Sequence, residues 1–205
     1  MDMKYIIVFL AGYLLGCSNL TYYIAKARGL NVRDKGTGNL GASNATILIG
    51  WSAGIAVAIH DIGKAALAVI AARLIFPDVP QIGAVAGVAS VLGHIFPFYL
   101  GFRGGKGFAS YFGMTLGLNW KFALILGILI VAVTIISDYL VLGTFTTITV
   151  SPVVLGLLSH SLLLTLILLV ASFVILYKHR ENILRLRNGT EIGLRSAAKG
   201  EHRIK

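Results

Sequence analysis

From Tyr5 to Ala25 the chain carries no charged side chain, and uncharged apolar runs recur at 81–100, 108–118, 122–137, 140–158 and 161–177. An α-helix needs about 20 apolar residues to cross a bilayer. In hydrocarbon every backbone N–H and C=O must find a partner within the protein, and a helix supplies one inside each segment. The runs therefore predict an all-α integral membrane protein. Composition agrees: 57% of the 205 residues are hydrophobic and 13% are charged, where a soluble domain carries about 25% charged residues.

Residues 46–76 are less simple. Apolar sequence over 46–59 is interrupted by His60, Asp61 and Lys64 and resumes from Ala65 to Phe76, before the turn Pro77-Asp78-Val79-Pro80. The pattern predicts one span plus a half-length or interfacial helix. The total comes to about seven transmembrane helices, some short enough to need tilting, breaking or shielding by neighbours. Neither an internal repeat nor a second domain is visible. Residues 1–205 read as a single polytopic membrane domain with a basic tail over 178–205.

With seven spans, segments 26–45, 101–107, 138–139 and 178–205 share one side of the membrane. They carry four, two, no and eight Lys/Arg, against Lys4 and Lys121 on the other side and Lys64 and Arg73 within spans. Positive residues accumulate on the cytoplasmic side, which predicts an outside N-terminus and a cytoplasmic C-terminus. The net charge of +10 and a basic tail would also suit nucleic acid. Here the tail follows a hydrophobic span and topology accounts for it, so no nucleic-acid partner is expected. Cys17 is the only cysteine, which excludes a disulfide framework and a Cys-based metal site. Leu14-Leu15-Gly16-Cys17 has the form of a lipoprotein signal, but the apolar run continues to Ala25 and favours an uncleaved first span.

Three polar segments interrupt this background, and the predicted topology puts all three on the cytoplasmic face. The first, Asp34 to Asn44, reads DKGTGNLGASN. Gly36, Gly38 and Gly41 match a dinucleotide-binding spacing, but that fingerprint requires a preceding strand, and here a membrane helix precedes it. What remains is a glycine-rich loop with Thr37, Asn39, Ser43 and Asn44, donors suited to phosphate or hydroxyl groups. The second, GHIFPFYLGFRGGKG over 93–107, sets His94, Arg103 and Lys106 among five glycines. Glycines let backbone N–H groups approach an anion closely. A nucleotide P-loop is excluded, because Leu100 and Gly107 stand where that motif needs Gly and Ser or Thr. The third, YKHRENILRLRNGTE from Tyr177 to Glu191, places His179 and Asn182 three apart on one helix face. Asp61 and Lys64 also stand three apart, inside the second span, as an ion pair or as a catalytic pair. The inventory contains no defensible Ser-His-Asp or Cys-His set, no metal-ligand spacing and no cofactor motif. It suits transfer of a group between phosphates.

Taken in order, GTGNLGASN, LGHIFPFYLGFRGGKGFAS and KHRENILRLRNGTE resemble, nearly end to end, the bacterial acyl-phosphate:glycerol-3-phosphate acyltransferases, the PlsY family. The resemblance implies transfer of a fatty acyl group from acyl phosphate to the 1-hydroxyl of glycerol 3-phosphate. The product is lysophosphatidic acid for phospholipid synthesis. It also implies a monomeric multi-pass protein of the bacterial cell membrane, free of cofactor, with its active site facing the cytoplasm. By position, Lys106 and the backbone of Gly104, Gly105 and Gly107 should hold a substrate phosphate with Arg103 beside them. Thr37, Asn39, Ser43, Asn44 and Thr144 should contact substrate, and His94, His179 and Asn182 should orient glycerol 3-phosphate or its attacking hydroxyl. The chain departs from the family where an arginine often follows the first motif (Ile47 here). A second position, basic in the family and lying before the sixth span, falls at Asp138, and the family's serine beyond it becomes Thr144. The departures motivate an alternative: a weak or inactive paralogue that binds or transports a phosphorylated lipid or metabolite.

Overall fold

The computed structural model describes residues 2–198, and the tail positions Lys199, Arg203 and Lys205 lie outside the described residues. Two compact units are resolved by their internal packing, Met1–Asn119 and Trp120–Lys205. All regular structure among the described residues is helical.

The first unit contains α1 (Met3–Cys17), α2 (Leu20–Ala27), α3 (Ala42–Ile49), α4 (Trp51–Ile75), α5 (Ile82–Ile95), a 3-10 turn at Phe98–Leu100 and α6 (Phe108–Leu118). The first apolar run is one span with a break at Ser18-Asn19. The Asn19 side chain accepts a hydrogen bond from Tyr22 N at 2.9 Å and so caps α2. The second apolar run divides at Gly50, φ 111°, a conformation a side chain would strain. The expected half-length helix is therefore α3, while α4 passes unbroken through His60, Asp61 and Lys64. Those charges do not end the helix because Asp61 and Lys64 pair with each other and Lys64 also reaches Ser18 and His94 outside α4.

Small residues bring the helices together, as expected where lipid offers no hydrophobic drive between them. Gly12 and Gly16 of α1 face the backbone at Ala86 and Ser90 of α5, and Gly93 of α5 faces the backbone at Tyr13 and Cys17. Gly113 of α6 packs on the Ile62 backbone of α4. Arg73, near the end of α4, donates to Gly117 O (3.1 Å) and Leu118 O (3.0 Å), a cation on the terminal carbonyls of α6.

The second unit contains α7 (Trp120–Ser137), α8 (Leu140–Leu158), α9 (Leu162–Lys178), α10 (Arg180–Arg187) and α11 (Leu194–Ala198). Pro152 lies inside α8. Proline has no N–H, so Ile148 O loses its helical donor, and the Ser172 hydroxyl of α9 donates to it at 2.9 Å.

Five stretches are long and apolar enough to cross a membrane: Met3–Ala27, Trp51–Ile75, Ile82–Leu100, Trp120–Ser137 and Leu140–Leu158. A sixth is added if α9 and α10, bent by 53°, count as one. The run at 108–118 is a shorter apolar helix, α6.

Candidate active site

In the first unit the first two polar segments are joined. Arg33, in the loop between α2 and α3, donates from Nη2 to Leu100 O (2.6 Å) and to Arg103 O (3.1 Å). Two buried asparagines shape that loop. Asn44 Oδ1 accepts from Thr37 N at 2.8 Å while Nδ2 donates to Val32 O at 3.3 Å. Asn19 Nδ2 donates to Leu40 O at 3.1 Å. Asn44 is 0% exposed, so it acts as a loop former. Asn44→Ala should leave Thr37 N without its acceptor, loosening residues 32–40 by about 1–3 kcal/mol. Faster cleavage of that loop by trypsin, with the helical melt little changed, is the expected readout.

The second segment folds back on the end of α5. Gly104 N donates to Ile95 O (3.0 Å) and Gly105 N to His94 O (3.1 Å). Gly107, φ 95°, then forms the N-cap of α6. Neither α6 nor α3, which Gly41 precedes as N-cap, has a side-chain cap. The first N–H groups of both helices thus remain donors for an anion. Thr37, Ser43 and Arg103 are exposed, Asn39, Gly104 and Lys106 are half-buried, and Gly105 and Gly107 are buried.

Beneath this loop lies a polar network that the sequence did not join. His94 is 3% exposed, Asp61 1% and Lys64 5%. Lys64 Nζ lies 2.8 Å from Asp61 Oδ1, donates to Ser18 O at 2.7 Å and is 3.0 Å from His94 Nδ1. His60 extends the network, with Nδ1 3.3 Å from Asp61 Oδ1 and Nε2 3.0 Å from Ser18 Oγ. The break at Ser18-Asn19 supplies the carbonyl that Lys64 uses, and Tyr99 OH takes the neighbouring Cys17 O at 2.9 Å. Charges three apart inside a span pointed to Asp61 and Lys64. Nothing in the sequence named Ser18 or Arg33, because their roles depend on a helix break and on loop closure.

The third segment lies in the second unit. His179, 5% exposed, places Nδ1 2.8 Å from Ile175 O. A carbonyl only accepts, so in the neutral ring Nδ1 carries the proton and Nε2 is an acceptor. The ring meets Phe145 edge-on at 6.1 Å. Asn182 Nδ2 donates to Glu191 Oε1 at 2.6 Å, and Arg185 Nε pairs with Glu191 Oε2 at 2.7 Å. Glu191 thus locks the loop after α10 onto its face. Thr144 is buried in α8. Asp138, φ 71°, accepts from Arg195 N (2.9 Å) through Oδ1 and from Leu194 N (2.6 Å) through its carbonyl. It satisfies the first donors of α11, a local structural use for this residue. Among the described residues no group of three or more His, Cys, Asp or Glu could hold a metal ion.

Comparison with known proteins gives a consistent result. The profile of a family described as glycerol-3-phosphate acyltransferase matches residues 6–189. A glycerol-3-phosphate acyltransferase of Dinoroseobacter shibae is 41% identical over 90% of this chain and 90% of its own length. One from Clostridioides difficile is 37% identical over 92% and 94%. Among solved structures, the chain is similar to PlsY (YgiH), an integral membrane glycerol 3-phosphate acyltransferase, in its glycerol 3-phosphate form. That match has a TM-score of 0.86 and 30% identity, over 92% of this chain and 94% of that one. The lysophosphatidic acid form matches with a TM-score of 0.83.

Proposed function

The chain belongs to the glycerol-3-phosphate acyltransferase family, and we infer from this that it is itself a glycerol-3-phosphate acyltransferase of the membrane. We propose acyl phosphate as its donor and lysophosphatidic acid as its product. The 1-hydroxyl oxygen of glycerol 3-phosphate attacks the acyl carbonyl carbon, the bond from that carbon to the phosphate oxygen breaks, and the hydroxyl proton ends on the departing inorganic phosphate. An acyl phosphate is already activated, so the work left to the protein is alignment and charge stabilisation.

The observation that carries this reading is the pair of glycine loops tied together by Arg33, with uncapped N-termini of α3 and α6 and with Lys106 beside them. Those groups suit a phosphate. The Asp34–Asn44 loop offers Thr37, Asn39 and Ser43 as further donors. Substrate contacts by His179, Asn182 and Thr144 are part of the proposal, with the Nε2 acceptor of His179 suited to a substrate hydroxyl. The proposed topology counts α6 as a seventh, short span and sets the loops on the cytoplasmic face of the bacterial cell membrane, with the protein a monomer. The bias of Lys and Arg supports it.

The test is purified protein with palmitoyl phosphate and labelled glycerol 3-phosphate. The expected result is lysophosphatidate and inorganic phosphate in equal amounts, with Lys106→Ala lowering kcat/KM by about 10²-fold at an unchanged melting temperature. No product from the parent, with Lys106→Ala indistinguishable from it, would instead favour a paralogue that only binds phosphorylated ligands. Replacing palmitoyl phosphate by palmitoyl-CoA tests the donor.

A further inference from the structure

Lys64 and Asp61 are buried charges at mid-helix in a span, where such groups are rare and usually have a task. Their geometry specifies one. An ammonium has three N–H donors and no acceptor. Lys64 Nζ has three neighbours at hydrogen-bond distance: Asp61 Oδ1 at 2.8 Å, Ser18 O at 2.7 Å and His94 Nδ1 at 3.0 Å. All three donors are used only if His94 Nδ1 accepts. Asp61 Oδ1 lies farther from that nitrogen, at 3.3 Å, and the ammonium sits against both acceptors and offsets their repulsion. A neutral imidazole that accepts at Nδ1 carries its proton on Nε2. Nε2 faces Gly105 in the phosphate-binding loop, against the space a Cβ there would fill.

We propose that Asp61 and Lys64 are positioning residues that hold His94 as the Nε2–H tautomer, so that it presents a hydrogen-bond donor, and not a general base, to the glycine loop of the active site. The proposal rests on the acyltransferase reading for its purpose but not for its geometry. Ser18 O anchors Lys64 from α1's end, and His60 holds Asp61 from the other side, so the ring orientation is over-determined. His94 and His179 then present opposite groups at Nε2: a donor in the first case, an acceptor in the second.

The measurement is the ¹⁵N spectrum of the histidine rings in full-length protein in lipid. His94 is the only histidine followed by isoleucine, so joint labelling of that pair assigns it. At neutral pH the expected signals are a protonated Nε2 and an unprotonated Nδ1. In Lys64→Met the donor to Nδ1 is gone and Asp61 Oδ1 becomes its nearest partner, so the ring switches to Nδ1–H. The kcat then falls on the order of 10²-fold, as for loss of one preorganised donor, with KM for glycerol 3-phosphate changed far less. Lys64→Arg, which keeps a cationic donor, should restore part of the kcat and the Nε2–H signal. An Nδ1–H ring or an imidazolium in the parent overturns the proposal, whether or not any variant folds. So does a Lys64→Met protein that keeps both the tautomer and the kcat. If the parent shows the Nε2–H ring but makes no lysophosphatidate, the acyltransferase reading fails and the tautomer assignment stands.

Discussion

Alanine at Gly105 is expected to lower kcat/KM by about 10³-fold or more while the protein still inserts and folds. A Cβ at this position would occupy the place of His94 Nε2 and Cε1. A flexible side chain could swing aside, but this ring is held at Nδ1 by Lys64, itself bound to Asp61 and Ser18. The loop cannot lift instead without breaking the bond from Gly105 N to His94 O, 3.1 Å, and the Arg33 bonds to Leu100 O and Arg103 O. Either response displaces the donors beside Lys106, so the effect should exceed that of removing the Lys106 amine alone. The check is the palmitoyl phosphate assay on parent and variant with matched melting temperatures. A variant within about threefold of the parent would mean that the loop does not bear on His94.

Alanine at Gly93 should act on folding instead. Its Cβ would strike Tyr13 O and Cys17 N, both backbone atoms of α1. Gly12 against Ala86 and Gly16 against Ser90 already bring the two helices to backbone contact. The helices cannot part at one end without losing the packing along the rest, where close approach is the main source of association in lipid. A destabilisation of about 3 kcal/mol, at the top of the range for overpacked sites, is expected. It should appear as a lower melting temperature in detergent and poor yield. An unchanged melt would contradict the close approach of α1 and α5.

How much of this could be read from the chain follows from the range of the interactions involved. Apolar length marked the spans because hydrocarbon imposes that requirement locally, and the glycine-rich segments announced themselves by composition. The division of 46–76 was harder. His60, Asp61 and Lys64 look like an interruption, yet α4 runs through them and the break falls at Gly50. Charges end a span only when they lack partners, and these pair with one another, with Ser18 after α1 and with His94 of α5. Asn44 looked like a ligand donor and is a loop former, since an amide with both ends bonded to backbone is indistinguishable in sequence from one that points outward. Ser18 contributes through its carbonyl to Lys64, and no side-chain pattern can announce a backbone group. The use of Asp138 by Leu194 N and Arg195 N becomes visible only once α11 exists.

The spacing of Asp61 and Lys64 also bears on how the chain enters its membrane. Standing one helical turn apart on α4, each accompanies its counter-ion during insertion. The segment delivered to the lipid is therefore net neutral at its middle before any neighbour has arrived. Ser18 reaches the bilayer earlier, at the break in the first span, and His94 later, with α5. Assembly of this polar network is thus ordered by synthesis itself: the anchor first, the charge pair second, and the imidazole last into a socket already wired to receive it.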